Sequence, residues 1–187
     1  LEERKILLVD DEIQMGFFRT GKFWAIQHLD IVPDIIVFGK GLTNGLNPLS
    51  GVWATEEIIN PKTFPPGSTH STYAANPQGT ALTLEVLKLL DEQDYEKKVT
   101  EKGQYFLGQL KEAQKKYPKI MGDVDGLGLA IRIELCQEDG ITPNPELTQR
   151  ICQEGLKGDL KKNGKNYGLI LNIGGYYKNV FSLSPSF

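Results

Sequence analysis

Two short aliphatic segments constrain the fold of this chain of 187 residues more than any other feature. The segments at 5–9 and 34–38 contain the continuous apolar runs Ile6–Val9 and Ile35–Phe38, each flanked by polar residues or glycine. Apolar residues at every position, rather than at alternate positions, are typical of strands that are covered on both faces of a sheet. The two segments therefore predict parallel strands of an α/β fold.

The remaining pattern predicts helices and further strands. A third strand is predicted at 50–55, and Asn76-Pro77 begins a mostly apolar helix that we expect to be largely buried. A second helix follows at Tyr95–Lys116, with one apolar stripe and an otherwise charged surface. The later elements are a half-buried strand with alternating residues at 127–135, a helix from Asn144-Pro145 to about Lys162, and strands at 168–173 and 180–183.

The change of pattern near Pro118 predicts the domain organisation. Residues 1–92 are expected to form part of a mostly parallel α/β domain, and residues 93–117 a linking helix. Residues 118–187 are expected to form a smaller α+β domain.

Charge and cysteine content narrow the classes of partner. The 21 basic and 24 acidic residues give a net charge of −3, which predicts neither nucleic-acid nor membrane binding. No apolar run approaches the roughly 18 residues of a spanning helix. The two cysteines have no CxxC spacing and no histidine cluster nearby, so neither a disulfide framework nor a metal site is predicted. Without a signal-peptide pattern at Leu1, a reducing, cytoplasmic location is expected.

Three acids, Asp10, Asp11 and Glu12, follow the first predicted strand. The carboxyl end of such a strand is where open α/β sheets bind ligands. One interpretation is a signalling receiver module, but Gly39 stands where its phosphorylated aspartate would end the second strand. A second interpretation is that the acids cap a following helix.

Lys40 follows the second strand between Gly39 and Gly41. The apolar run before it predicts a buried lysine, and burial disfavours a charged ammonium, so that an uncharged amine can attack a carbonyl. A phosphate-binding loop of the Walker type is excluded because Asp34 stands where its first glycine would be. A lysine and an acid at neighbouring strand ends are what a pyridoxal phosphate enzyme needs, for the aldehyde and the pyridine nitrogen respectively.

The chain resembles the class III (subgroup II) pyridoxal-phosphate aminotransferases, the group of the ornithine, acetylornithine and ω-aminotransferases. The resemblance implies fold type I, a homodimer with shared active sites, and transfer of an amino group from an amine or amino acid to a 2-oxo acid or aldehyde. It is carried by Asp11-Glu12-Ile13-Gln14-x-Gly16-x-x-Arg19-Thr20-Gly21, Pro33-Asp34-Ile35, Gly39-Lys40-Gly41-Leu42-x-x-Gly45-x-x-Pro48-Leu49-Ser50 and His70-Ser71-Thr72-Tyr73-x-x-Asn76-Pro77.

The resemblance also implies the roles of individual residues. Lys40 would form the Schiff base with pyridoxal phosphate and carry the proton between the substrate and the cofactor. Asp11 would pair with the pyridine nitrogen, and Gln14 with the phenolic oxygen. Thr72 would contact the phosphate of the cofactor in the neighbouring subunit. The matching or adjacent residues that we interpret as structural are Asp10, Glu12, Arg19 and Asn76, and His28, His70, Cys136 and Cys152 are given no role in the chemistry.

Lyase, decarboxylase and aminomutase reactions remain open, because they would use the same Lys40 and Asp11. The chain also departs from the family at Ser182, where many relatives have an arginine that grips the substrate carboxylate. A hydroxyl cannot replace a bidentate guanidinium, so Lys178 is a candidate for that carboxylate. The resemblance covers only the C-terminal part of the family sequence, without its glycine-rich phosphate loop, and this predicts weak cofactor binding by the chain alone.

Overall fold

A computed structural model describes Arg4 and residues 6–187 of the chain. The chain divides into two compact units, one ending at Lys98 and the other running from Val99 to Phe187. The predicted division into 1–92, 93–117 and 118–187 stays a prediction.

The first unit contains a sheet of three short strands, β1 (Val9–Asp11), β2 (Ile35–Phe38) and β3 (Gly51–Ala54), in the order β1-β2-β3. β1 and β2 are parallel, as predicted, whereas β3 is antiparallel to β2. The α/β class predicted from the sequence is confirmed, with a mixed rather than a purely parallel sheet.

The strand predicted at 5–9 is displaced toward its carboxyl end. Leu8 precedes β1, and its backbone N–H donates to Oδ2 of Asp34 at 2.7 Å. Its carbonyl accepts hydrogen bonds from the backbone N–H groups of Asp34 and Ile35. The contact with Asp34 therefore ends the ladder at Val9, and Ile6 and Leu7 are exposed. Lys5, the first residue of the predicted strand, lies outside the described residues.

In the described part of the first unit, the α-helix α1 (Pro77–Glu92) is accompanied by the 3₁₀ helices Ala25–Leu29 and Lys40–Thr43. Asn76 caps α1, because its Oδ1 accepts the backbone N–H of Gly79 at 2.7 Å. The predicted start is confirmed, but the prediction that the helix is largely buried is wrong. Only Gly79 and Leu90 are buried, because a single face of α1 packs on the unit's aromatic core.

That core consists of Phe17, Leu42 and Leu90. Its aromatic rings meet edge to face, as between Phe17 and Trp24 with centroids 5.3 Å apart. The apolar side chains around it are Phe18, Phe23, Trp24, Phe38, Leu49, Val86, Leu87 and Tyr95. The core therefore joins the segment after β1, the 3₁₀ helix at Lys40 and α1.

The second unit is built around an antiparallel sheet in the order β4-β5-β9-β8. Its buried face carries Val124, Ile133, Leu135 and Phe181, on which apolar residues of two helices pack. A separate hairpin pairs β6 with β7. The elements after α1 are α2 (Tyr95–Lys116), β4 (Met121–Leu127), β5 (Ala130–Leu135), α3 (Pro145–Leu156), β6 (Leu160–Lys162), β7 (Lys165–Tyr167), β8 (Asn172–Gly174) and β9 (Val180–Leu183).

Three of the predicted elements are corrected in this unit. The strand predicted at 127–135 is the second half of a hairpin, because Gly128 has a φ of +56° and turns the chain between β4 and β5. The helix predicted to reach about Lys162 ends at Leu156, before Gly158 with a φ of +72°. The strand predicted at 168–173 is shorter and forms β8, whereas α2 and β9 match their predictions.

In the described part of the chain, no helix is both long and apolar enough to cross a bilayer.

Two glycines of α2 provide a matched test of the packing in the second unit. A Cβ at Gly103 would lie 2.1 Å from the carbonyl oxygen of Gly128, whereas a Cβ at Gly108 meets nothing within 4 Å. We expect Gly103→Ala to lower the free energy of unfolding by roughly 1–3 kcal/mol through overpacking. Gly108→Ala is expected to raise it by about 0.5–1 kcal/mol through helix propensity. Urea unfolding measures both, and equal effects of the two variants would contradict the close packing at Gly103.

Candidate active site

The candidate site lies where β1 and β2 end. In their parallel register Asp11 is opposite Val37, and Lys40 follows three residues later. Because parallel strands present their carboxyl ends at one edge of a sheet, the acid and the amine predicted from the sequence belong to the same edge.

Lys40 begins a 3₁₀ helix in the left-handed region, with a φ of +42°. The following residues, Leu42 and Thr43, are buried and hold this turn against the core. A Cβ at Gly41 would lie 3.0 Å from the ring of Phe17, so the turn packs closely on that ring. The side chain of Lys40 is exposed, which corrects the predicted burial: Leu42 and Thr43 take the inward positions, and the lysine turns outward.

Lys40 lines a cavity of about 610 Å³ in the first unit. Among the described residues, none accepts a hydrogen bond or ion pair from its ammonium group. Hydroxyl and amide groups line the same cavity, from Thr43, Asn47, Ser50, Ser71 and Tyr73. The other lining residues are Ile13, Gly39, Gly45, Pro48, Leu49 and Ala74.

Asp11, Gln14 and Thr72 lie next to or near lining residues in the sequence, but they do not line the cavity themselves. Asp11 is exposed, and its Oδ1 accepts the backbone N–H of Ile13 at 3.1 Å. Gln14 is exposed beside Ile13, and Thr72 is exposed between Ser71 and Tyr73. The structure thus brings Lys40 together with the two segments that carry the other three predicted residues, and it does not place those three side chains in the cavity.

Beside Asp11, two carboxyl groups face each other below the surface. Glu12 is 1% exposed, and its Oε1 accepts the backbone N–H of Ile26 at 2.9 Å. Burial, then the charge of Glu12 and a hydrogen bond with it, and then the charge of Asp11, raise the pKa of Asp10 to about 6. The sequence predicted structural roles for both acids, but it did not predict their pairing.

Other residues that were interpreted as structural have structural contacts. Asn76 caps α1, and Nε2 of His28 is 3.2 Å from both the carbonyl oxygen and Oγ1 of Thr20. Burial lowers the pKa of Arg19. Burial also raises the pKa of the Cys136 and Cys152 thiols.

Ser182 and Lys178 belong to the second unit. Ser182 is exposed on β9 and is paired in register with Arg132 on β5 and Asn172 on β8. The guanidinium of Arg132 forms an ion pair with Asp123 at 2.7 Å. Lys178 is exposed in the turn before β9, with a φ of +56°. Its role toward a substrate carboxylate stays a prediction.

The cavity adds five polar residues to which the sequence assigned no role, namely Thr43, Asn47, Ser50, Ser71 and Tyr73. Ser50, Ser71 and Tyr73 lie within the segments that carry the resemblance, and that position was the available signal. Within the described ranges, no group of three His, Cys, Asp or Glu residues is arranged to hold a metal ion.

Comparisons with known proteins give matches over nearly the whole chain. The family model for class-III aminotransferases matches residues 2–185. The alanine/serine racemase of Pyrococcus horikoshii is 39% identical over 185 residues, which is 99% of this chain and 36% of that protein. The 5-aminovalerate aminotransferase DavT of Pseudomonas putida is 34% identical over 182 residues, 97% of this chain and 40% of that protein.

A solved ornithine δ-aminotransferase from Plasmodium falciparum matches the fold with a TM-score of 0.81 and 30% identity. The match covers 98% of this chain and 42% of the solved one. This chain therefore spans about two fifths of the length of these relatives. The resemblance seen in the sequence is confirmed: the chain belongs to the class-III aminotransferase family.

Proposed function

We propose that the protein transfers an amino group from a small amine or amino acid to a 2-oxo acid or aldehyde, using pyridoxal phosphate. The single observation that carries this proposal is the amine of Lys40, which has no partner among the described residues and lines a cavity at the strand edge where Asp11 ends β1. Membership of a family of aminotransferases supports the same reaction class.

The chemistry of the site fits this cofactor. An amine that forms no ion pair with a described residue suits an aldehyde, and a carboxylate at the neighbouring strand end suits a pyridine nitrogen. The hydroxyls of Ser71 and Tyr73, on either side of Thr72, suit a phosphate. When bound, pyridoxal phosphate supplies an aldehyde and an electron-withdrawing ring that stabilises negative charge on the substrate's α-carbon.

Four residues of the chain carry the proposed mechanism. Lys40 would hold the aldehyde through its amine and would move the proton at the substrate's α-carbon. Asp11 would keep a proton on the pyridine nitrogen, because a carboxylate stabilises a neighbouring cation. Gln14 would donate a hydrogen bond to the phenolic oxygen. Thr72 would donate its hydroxyl to the phosphate of the cofactor in the neighbouring subunit.

This role of Thr72 requires a homodimer, which we propose as the working form, in the cytoplasm. Thr72 is exposed and is not among the residues that line the cavity of its own chain, which supports a role toward a neighbouring subunit.

Racemisation of an amino acid is a second candidate. The observation that favours it is the 39% identity to an alanine/serine racemase over nearly the whole chain. In racemisation by this site Lys40 would remove the α-proton and Asp11 would hold the ring proton, as in amino transfer, but a proton would return to the opposite face of the same carbon. No amino group is transferred, and no oxo acid is consumed.

One experiment separates the two reactions. The complete protein is incubated with single enantiomers of alanine, serine, ornithine and 5-aminovalerate (which has no stereocentre), with and without 2-oxoglutarate, and products are resolved by chiral chromatography. Glutamate formed only with the oxo acid supports amino transfer. The opposite enantiomer formed without oxo acid supports racemisation instead. If neither product forms from any amine or amino acid with any 2-oxo acid or aldehyde tested, both candidates are wrong.

Replacing Lys40 tests the proposed covalent role. We expect Lys40→Ala in the complete protein to lower turnover by more than the roughly 10²–10⁴-fold that is typical of a lost general base, because the attachment point is lost as well. After borohydride reduction, peptide mass spectrometry should find the cofactor on Lys40 in the wild type and nowhere in the variant. Lys62→Ala, which removes an exposed lysine outside the cavity, is the control. Cofactor attached to another lysine in the wild type would contradict the assignment.

Replacing Asp11 tests the proposed partner of the pyridine nitrogen. Asp11→Asn keeps the size of the side chain but removes the charge that holds the ring proton, so we expect cofactor to remain bound while turnover falls. Absorbance spectra and turnover measure the two properties separately. Asp91→Asn, an exposed acid on α1, is the matched control. An unchanged rate for Asp11→Asn would show that another group holds the nitrogen.

A further inference from the structure

The pair of acids beside Asp11 has no use in the mechanism described above. Oδ2 of Asp10 and Oε2 of Glu12 are both shielded from solvent, and neither accepts a hydrogen bond from a donor among the described residues. The two side chains lie within hydrogen-bonding reach of each other. Two ionised carboxylates have no hydrogen to share, so this contact requires that one of them be protonated.

The backbone explains why these two side chains meet. Residues two apart along an extended strand project to the same face, so Asp10 and Glu12 lie on one face and Asp11 projects to the other. Asp10 pairs with Ile36 in the middle of the β1–β2 ladder, and Glu12 follows directly after the strand. Asp11 therefore lies between two residues whose side chains contact each other.

Glu12 also joins three parts of the first unit. Its N–H donates to the carbonyl of Val37 at 2.8 Å, and its carbonyl accepts the N–H of Gly16 at 2.9 Å. Its Oε1 accepts the N–H of Ile26 in the first 3₁₀ helix. The position of Glu12 therefore decides the path of the turn that carries Gln14.

We propose that Asp10 and Glu12 hold one proton between them, and that this shared proton fixes the segment from which Asp11 and Gln14 reach the cofactor. Both are positioning residues, since they act through that segment. The shared proton does not depend on the proposed function. Its effect on cofactor binding through Asp11 and Gln14 rests on that function.

The charged groups around the pair are few. The charge of Asp11, like that of Glu12, raises the pKa of Asp10. Neither β2 nor β3 carries a titratable side chain. The neighbouring 3₁₀ helix carries only His28, whose Nε2 contacts Thr20. Arg19 lies in the turn after Glu12 and takes part in an interaction of its own. Because His28 lies on the same 3₁₀ helix as Ile26, variants of Asp10 and Glu12 are needed to assign a change near pH 6 to the pair.

The sign of the pH effect follows from the raised pKa of Asp10. Folding favours its protonated form, so the stabilisation is complete below about pH 4 and is lost as the pH rises through about 6. Above that pH two buried carboxylates repel each other across the contact. An amide at either position replaces the shared proton with a permanent donor.

The first test uses the complete protein freed of cofactor. Hydrogen exchange measures the protection of the Ile26 and Gly16 amides from pH 5 to pH 8, corrected for the intrinsic exchange rate. We expect a loss of protection with a midpoint near pH 6 in the wild type. Asp10→Asn and Glu12→Gln should each abolish this midpoint, and Asp91→Asn should leave it in place. Protection that does not change with pH in the wild type, or a midpoint that survives in both amide variants, would overturn the shared proton.

The second test concerns the cofactor. The dissociation constant of pyridoxal phosphate is measured at both ends of this pH range for the wild type and Asp10→Asn. We expect equal constants at pH 5 and tighter binding by the variant at pH 8. Equal constants at both pH values would overturn the link to Asp11. A protein that keeps the pH 6 midpoint but binds no pyridoxal phosphate would instead contradict the proposed function and leave the shared proton intact.

Discussion

The parallel pairing of β1 with β2 is the interaction on which the candidate site depends. Three register pairs place Asp11, the last residue of β1, opposite Val37, three residues before Lys40. The side-chain period of a strand is two, so a slip of one residue would move Asp11 to the other face and replace it with Asp10 or Glu12. The contact between Asp34 and Leu8 at the start of the ladder opposes such a slip. Register thus decides which of three adjacent acids can reach a ligand.

The sequence predicted elements that depend on local interactions and failed where distant contacts decide. The Asn76-Pro77 cap and the bounds of α2 and β9 follow from neighbouring residues, and they were predicted correctly. The burial of α1 and of Lys40 was predicted wrongly, because apolar composition indicates which residues can be buried but not what covers them. The β4–β5 turn was missed, since the alternation of the residues continues across Gly128.

At the site, too, the sequence predicted local features and failed where distant contacts decide. The spacing of Asp11 and Lys40 indicated the cofactor, because each residue follows its own strand and strand ends are readable in sequence. The contact of Asp10 with Glu12 was not predicted, since it depends on the burial of Glu12, which accepts a hydrogen bond from the 3₁₀ helix Ala25–Leu29. Amino transfer and racemisation begin with the same proton removal. Under the proposed function, Lys40 and Asp11 would serve this shared step, and they do not by themselves distinguish the two reactions.

The left-handed backbone of Lys40 has a consequence for the evolution of this site. A residue with a side chain costs about 1–2 kcal/mol in this conformation, and glycine avoids that cost. Selection for stability alone would therefore replace Lys40 with glycine, the residue already present on both sides of it. The proposed role of its amine is a reason for keeping a lysine at this position. Descendants of this chain that lose the chemistry are thus expected to accumulate glycine or asparagine there before the rest of the fold diverges.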